Sequence, residues 1–361
     1  MLSPVLPLFL TRDLAAPASA VGIVEGIAQA TQNIVQGASG WLADRLGRNK
    51  PVALVGYAVA ALSKPSIGLA TVWPHVLAAR FADRLGTGVR SAPRDALIAG
   101  SVDTSRRGAA FGLEGVGDNL GAVLGPLLTA ALLYLAHLQF RTLFLLAFVP
   151  GAIAFALISA VREVPRGTTG TELAVRGLPP PYWRYLAAIG VFGLGNLSSA
   201  FVILKSSAVG IGPEQTLFVY AGYNFVAALA SYPAGGLSDR LGRKRVLLVG
   251  LAVLVIAFGG FASTASAVVV AALFVLYGVY QGVFRAVGKA LATDLAPKSS
   301  RGSAVGLYGT VVGLSALLAS AIAGQLWDRF GPGAAFGYAV ACAIGGIALI
   351  SVLVPSRLSP R

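Results

Sequence analysis

A short pattern rich in glycine and arginine occurs twice in this chain, and its recurrence constrains the fold more than any other feature. Gly40-Trp41-Leu42-Ala43-Asp44-Arg45-Leu46-Gly47-Arg48 returns as Gly235-Gly236-Leu237-Ser238-Asp239-Arg240-Leu241-Gly242-Arg243, at a constant offset of 195. A second match, Arg107-Gly108-Ala109-Ala110-Phe111-Gly112-Leu113 against Arg301-Gly302-Ser303-Ala304-Val305-Gly306-Leu307, follows at an offset of 194. Two matches in the same order at nearly the same offset divide the chain into two homologous halves. Each copy of the first pattern reads as a short basic loop between apolar runs, with a glycine where a tight turn demands positive φ.

The long apolar runs between these loops decide the solvent. Of 361 residues, 56% are hydrophobic and only 12% charged, against about a quarter charged in a soluble domain. The chain is therefore an integral membrane protein, with the bilayer as its partner. The net charge of +14 does not argue for nucleic acid. Most of the Lys and Arg fall in loops on the side of the repeated pattern, which is the positive-inside bias. That bias places the two pattern loops and the C-terminus in the cytoplasm, and the chain in the plasma (inner) membrane.

Chemistry of the usual enzymatic kinds finds no residues to work with. Cys342 is the single cysteine, so an internal disulfide and a thiolate metal cluster are both excluded. His75 and His137 fall near outer helix ends, where interfacial placement is the reading. No G-x-x-x-x-G-K-[ST] loop and no H-E-x-x-H occurs, and Gly86-Thr87-Gly88 lies in a charged membrane helix, not between strand and helix. The expectation is a protein that is not an enzyme and carries no cofactor and no metal.

Counting apolar runs yields twelve spans. A first bundle occupies residues 1–161, a linker 162–181, a second bundle 182–354 and a basic tail 355–361. The first run, Leu2 to Leu10, is short of the roughly 20 residues that a span needs. Its counterpart begins near Tyr182, so the first helix is expected to be completed upstream.

Polar residues inside the spans mark the interior. In the second span Glu25 and Gln29, followed by Gln32 and Gln36, recur at helical spacing and form a stripe that cannot face lipid. The fourth span carries Arg80, Asp83, Arg84, Arg90 and Arg94 on one side, and Lys64 of the third is expected to snorkel outward. Such charges form either an internal ion-pair lattice or a solute site. Glu114 and Asp118 of the fifth span share a face and lie at the depths of Arg94 and Arg90 in an antiparallel hairpin. They are the candidates for taking up a coupling proton, Glu114 ahead of Asp118. In the second half Asn196, Tyr223, Tyr277, Gln281 and Arg285 complete the cavity candidates.

The pattern G-x-L-x-D-R-x-G-R resembles the cytoplasmic loop motif of the major facilitator superfamily, found between helices 2 and 3 and again between 8 and 9. Gly121, Gly125 and Pro126 resemble the fifth-helix G-x-x-x-G-P motif of its antiporters, without the glycines that continue it; these glycines permit close helix approach. The resemblance implies an all-α membrane protein of twelve transmembrane helices in two pseudo-symmetric six-helix bundles rocking about a central site. It implies a conformational role for the motif residues, Gly40, Asp44, Arg45, Gly47 and Arg48 with Asp239, Arg240, Gly242 and Arg243. The family's helix 4 arginine matches Arg80 or Arg84. The function so implied is transport by a monomer, and the helix 4 arginines together with the buried carboxylates favour a small anionic or zwitterionic solute coupled to protons. A multidrug or siderophore exporter and a transport-dead receptor or scaffold are the alternatives.

Overall fold

The computed structural model describes residues 3–46, 48–101, 107–161, 178–297 and 301–355, and among them every regular element is a helix. The first half contains α1 (Val5–Leu8) running into a π-helical turn (Phe9–Asp13), then α2 (Ala18–Leu46), α3 (Asn49–Gly68), α4 (Trp73–Gly100), α5 (Arg107–Leu135), α6 (Phe140–Leu146) and α7 (Phe148–Ala160). The second contains α8 (Pro180–Gly193), α9 (Ser199–Ala208), α10 (Pro213–Leu241), α11 (Arg243–Ser263), α12 (Ala267–Val283), a π-helical turn (Phe284–Gly288), α13 (Lys289–Asp294), α14 (Arg301–Phe330) and α15 (Pro332–Leu353).

Local chemistry accounts for the starts and breaks. Proline opens α4, α8, α10 and α15, where its missing N–H costs nothing. The seventh span, expected as one helix, is two: it stops after Gly193 and restarts where the Ser198 hydroxyl accepts from the Ala200 amide, an N-cap. The sixth divides at Ala147 and the tenth contains the π turn.

The repeated pattern is less of a loop than the sequence suggests. Residues 40–46 continue α2 and 235–241 continue α10; in the second copy the turn itself is Gly242, at φ 94°. That angle lies where only glycine is unstrained. Gly47 and the side chains of Asp44, Arg45 and Glu114 lie outside the described residues. A matched pair of lysines repeats the symmetry: Lys50 Nζ donates to the Ser159 carbonyl at 2.7 Å, and Lys244 Nζ to the Ser351 carbonyl at 2.8 Å. Each lysine caps the last helix of its own half, where freed carbonyls attract a cation.

Among the described residues the halves meet chiefly through α2 with α14 and α5 with α10, the first contact being the more extensive, with α9 touching α1 and α2. The approach of α2 to α14 requires glycine: a Cβ on Gly26 would lie 3.0 Å from the Leu317 Cα, and one on Gly22 would collide with the Ser320 carbonyl. At the end remote from the repeated pattern, Asp328 accepts from the Ala18 and Ser19 amides at 2.9 Å each. A carboxylate at a helix N-terminus satisfies donors that no helical carbonyl reaches. Arg12 adds a bond to the Ser207 hydroxyl at 3.1 Å. The halves are thus latched at that end.

Among the described residues six helices are long and apolar enough to cross a membrane by length and composition alone: 117–135, 140–160, 243–263, 267–294, 304–330 and 332–353. The helices that carry the polar faces, α2, α4 and α10, are not among them, because those faces turn inward. Exposed Leu62, Val249, Ile256 and Val352 lie on the outside, as a lipid-facing surface requires. Gly121 departs from expectation: nothing lies within 4 Å of a Cβ built there. It is not a close-packing position, because α5 packs mainly on α10 rather than on its neighbour α4.

Candidate solute cavity

A cavity of about 420 Å³ opens between the halves. From the first half it is lined by Glu25, Gln29 and Gln32 of α2 and by Arg80 and Arg84 of α4; from the second by Asn196, Ser198, Ser199, Tyr220, Tyr223, Tyr277, Gln281 and Arg285. Nine of the twelve cavity candidates therefore converge, since Glu25, Gln29, Arg80, Arg84, Asn196, Tyr223, Tyr277, Gln281 and Arg285 are all on its wall. Helical periodicity had put Gln32 on the right face; Ser198 and Ser199 reach the wall only because the seventh span breaks there.

The first-half wall is an ion-pair lattice. Buried Arg80 contacts Glu25 at 3.1 Å and Asp83 at 3.3 Å, while Asp83 also receives Lys64 at 3.4 Å and Arg84 at 3.6 Å. Arg84 donates to the Gln32 side-chain oxygen at 2.8 Å. Lys64 does not snorkel outward as expected; its ammonium donates to the Ala60 carbonyl at 2.7 Å and pairs inward. Within a membrane the buried carboxylate is the stronger attraction for a side chain long enough to reach it. The Arg80 Nε is buried with no hydrogen-bond partner among the described residues, so even this lattice leaves donor capacity beside the cavity.

The second-half wall is aromatic and hydrogen-bonded. Tyr277 stacks on Tyr223 with ring centroids 5.3 Å apart and on Phe258 at 5.5 Å. Its hydroxyl donates to the Leu197 carbonyl at 3.3 Å and accepts from Gln281 at 3.1 Å. The Tyr280 hydroxyl, behind the wall, donates to the Asn196 side-chain oxygen at 2.9 Å. Asn196 and Gln281 are thereby oriented, each keeping polar capacity for a guest. Arg285, on the π turn, is exposed and has no ion pair among the described residues.

Other candidates lie elsewhere. Asp83 and Arg90 border a second chamber of about 860 Å³ within the first half, with Gly121 and Gly125 on its α5 side. Arg90 lies over the Tyr57 ring, 4.4 Å from its centroid, a cation–π contact. It does not pair with Asp118, which is exposed and has no ion pair among the described residues. The cause is again that α5 packs on α10 and only thinly on α4. Arg94 lies further toward the motif end and pairs with Asp95 at 3.1 Å. His75 and His137 are exposed and border neither chamber.

In the second copy of the repeated motif Arg243 pairs with Asp239 at 2.7 Å and with Asp294 at 3.1 Å, and donates to the Ser238 hydroxyl at 2.6 Å. It thus ties α10 and α11 to the end of α13. Arg240 is exposed, as is Arg48 in the first copy.

Two latched helical halves with a charged, polar chamber between them define a membrane carrier, not an enzyme. The chain belongs to the Major Facilitator Superfamily, whose sequence profile matches residues 1–204 and again 185–361. It is 32% identical to an uncharacterized MFS-type transporter of Methanocaldococcus jannaschii over 98% of this chain and 90% of that protein. Its fold matches a bacterial homologue of the human lysosomal transporter Spinster (TM-score 0.80, 16% identity, 100% and 94% of the two chains). It also matches the nucleoside transporter NupG (TM-score 0.78, 12% identity, 98% and 94%). It is a transmembrane transporter of that superfamily with two six-helix bundles.

Proposed function

We propose that this transporter carries a small hydrophilic organic anion or zwitterion by alternating access, coupled to protons through Glu25. The observation that carries the reading is the composition of the central wall: three arginines and one carboxylate among amides, hydroxyls and tyrosines. Bulky apolar drugs need apolar walls, which weighs against the multidrug alternative. Among the described residues Glu25 is the carboxylate that lines the cavity while holding Arg80, which favours it over the exposed Asp118 as the proton carrier. An incoming anion competes with Glu25 for that arginine, which links solute binding to the state of the carboxylate. The Asp328 latch and the α2–α14 glycines hold one end closed; the motif end is taken as cytoplasmic, in the plasma membrane. Rocking of bundles 1–161 and 182–354 of a single protomer would break the latch, with the Arg243 cluster and its first-half counterpart Asp44 and Arg48 biasing the two end states.

The test is Glu25→Gln in proteoliposomes loaded with a candidate solute. Gradient-driven uptake should be lost while solute counterflow without a pH gradient persists. Uptake that still follows the pH gradient in this variant removes Glu25 from coupling.

A further inference from the structure

We propose that the central cavity selects a solute carrying two negative charges, a small dicarboxylate or a phosphate monoester, by offering one guanidinium from each half: Arg84, whose ion pair is the longest of its lattice, and Arg285, which has no ion pair among the described residues. The inference rests on the anion-carrier reading and narrows it. Its first ground is charge balance. Among the described residues of the cavity and its adjoining lattice, four cations, Lys64, Arg80, Arg84 and Arg285, stand against two carboxylates, Glu25 and Asp83, leaving a surplus of two positive charges. Arg80 and Lys64 take the closer contacts to those carboxylates, at 3.1 to 3.4 Å, whereas Arg84 reaches Asp83 only at 3.6 Å. One surplus charge therefore belongs to each half. Within a membrane protein an unmatched cation is costly, and a monoanion would neutralise only one of the two.

The second ground is the setting of Arg285. It lies in a π-helical turn, a rare geometry that recurs at functional sites, and Gln281, four residues earlier, lines the same cavity. The side chain is exposed, and none of its donors has a protein acceptor among the described residues. Arg90, at the same offset of 195 in the first half, is folded instead onto the Tyr57 ring. An arginine that has an aromatic seat in one half and none in the other is available for a ligand.

The third ground is the match of the guanidinium to its guest. Its planar fork binds carboxylate and phosphate oxygens in pairs. Asn196, Gln281 and Gln29 line the same cavity, suiting a hydroxylated body. The 420 Å³ volume is that of a small organic acid with its waters. A dianion held at both poles also draws the halves together, so the solute itself favours the occluded state needed for its release on the other side.

The experiment uses the full chain in lipid nanodiscs, with titration calorimetry and thermal shift at one ionic strength. The probes are succinate, malate and glycerol 3-phosphate against monomethyl succinate and glycerol. The expected result is binding of at least one dianion about ten-fold or more tighter than monomethyl succinate, which corresponds to about 1.4 kcal/mol or more. Arg285→Gln should erase that preference without changing the unliganded melting temperature, and Arg285→Lys should restore part of it. Equal binding of the mono- and dianions, or a preference that survives Arg285→Gln, overturns the two-pole site while leaving an anion carrier standing. Stabilisation by glycerol with none by any anion overturns both.

Discussion

The fourth span of the first half and the tenth of the second hold corresponding places in the two bundles, and they treat a polar interior in opposite ways. Helix α4 buries charge: Arg80 and Asp83 are 5% and 7% exposed and are held by Glu25, Lys64 and Arg84. Helix α12 buries rings, with Tyr277 and Tyr280 packed among Tyr223, Phe258 and Phe284. Ten of the twelve largest fully buried side chains belong to the second half, so the asymmetry extends beyond one helix. An ion lattice fails when one member is lost, because its partners remain buried and unpaired. An aromatic frame degrades gradually, because each ring has many partners. The first half thus supplies a charged pole that is costly to disturb, and the second a tightly packed frame that presents Arg285 to the cavity.

Asp83→Asn gives the sharpest test of that contrast. It leaves Lys64, Arg80 and Arg84 without their shared carboxylate, and a loss of about 3–5 kcal/mol is expected. The measurements are membrane abundance and melting temperature in detergent; a variant as stable as the parent would show that the charges are not a lattice. A smaller effect is expected from Tyr280→Phe, which keeps the ring packing and removes only the bond to Asn196. Stability should fall by about 1 kcal/mol, while solute affinity falls further because Asn196 loses its orientation, as thermal melts paired with calorimetry would reveal. If the two fell together, the hydroxyl would be structural only. Smallest of all, Asp118→Asn should change stability by about 0.5 kcal/mol or less, since this carboxylate is exposed and unpaired among the described residues. A melting point several degrees lower would extend the lattice to α5 and bring Asp118 back into consideration for coupling.

Much of this was legible before any coordinates. The halves follow from the offset of 195, and the helices from apolar run lengths set against the thickness of a bilayer. The inward face of α2 follows from the spacing of Glu25, Gln29 and Gln32, because lipid leaves a polar stripe only one direction to face. The convergence of Asn196, Gln281 and Arg285 could be anticipated in the same way, as polar residues inside apolar spans.

Pairing between helices was not legible in that manner. Equal depth in a hairpin suggested Arg90 with Asp118, but depth does not specify rotation, and α5 turns to α10. Lys64 had two available directions, and a carboxylate two helical turns into the next span decided between them.

By itself the sequence determined a duplicated, membrane-spanning, all-helical chain, because period, run length and charge placement are properties of order along the chain; transport followed only from the resemblance of its repeated motif to a family. Only the tertiary structure decided which charges meet. It tied Glu25 to Arg80 and massed three cations on Asp83. It also seated Arg90 on Tyr57 and left Arg285 open to the cavity. Those outcomes depend on the rotation and close packing of helices distant in sequence, where glycines such as Gly22 and Gly26 set how near two backbones come.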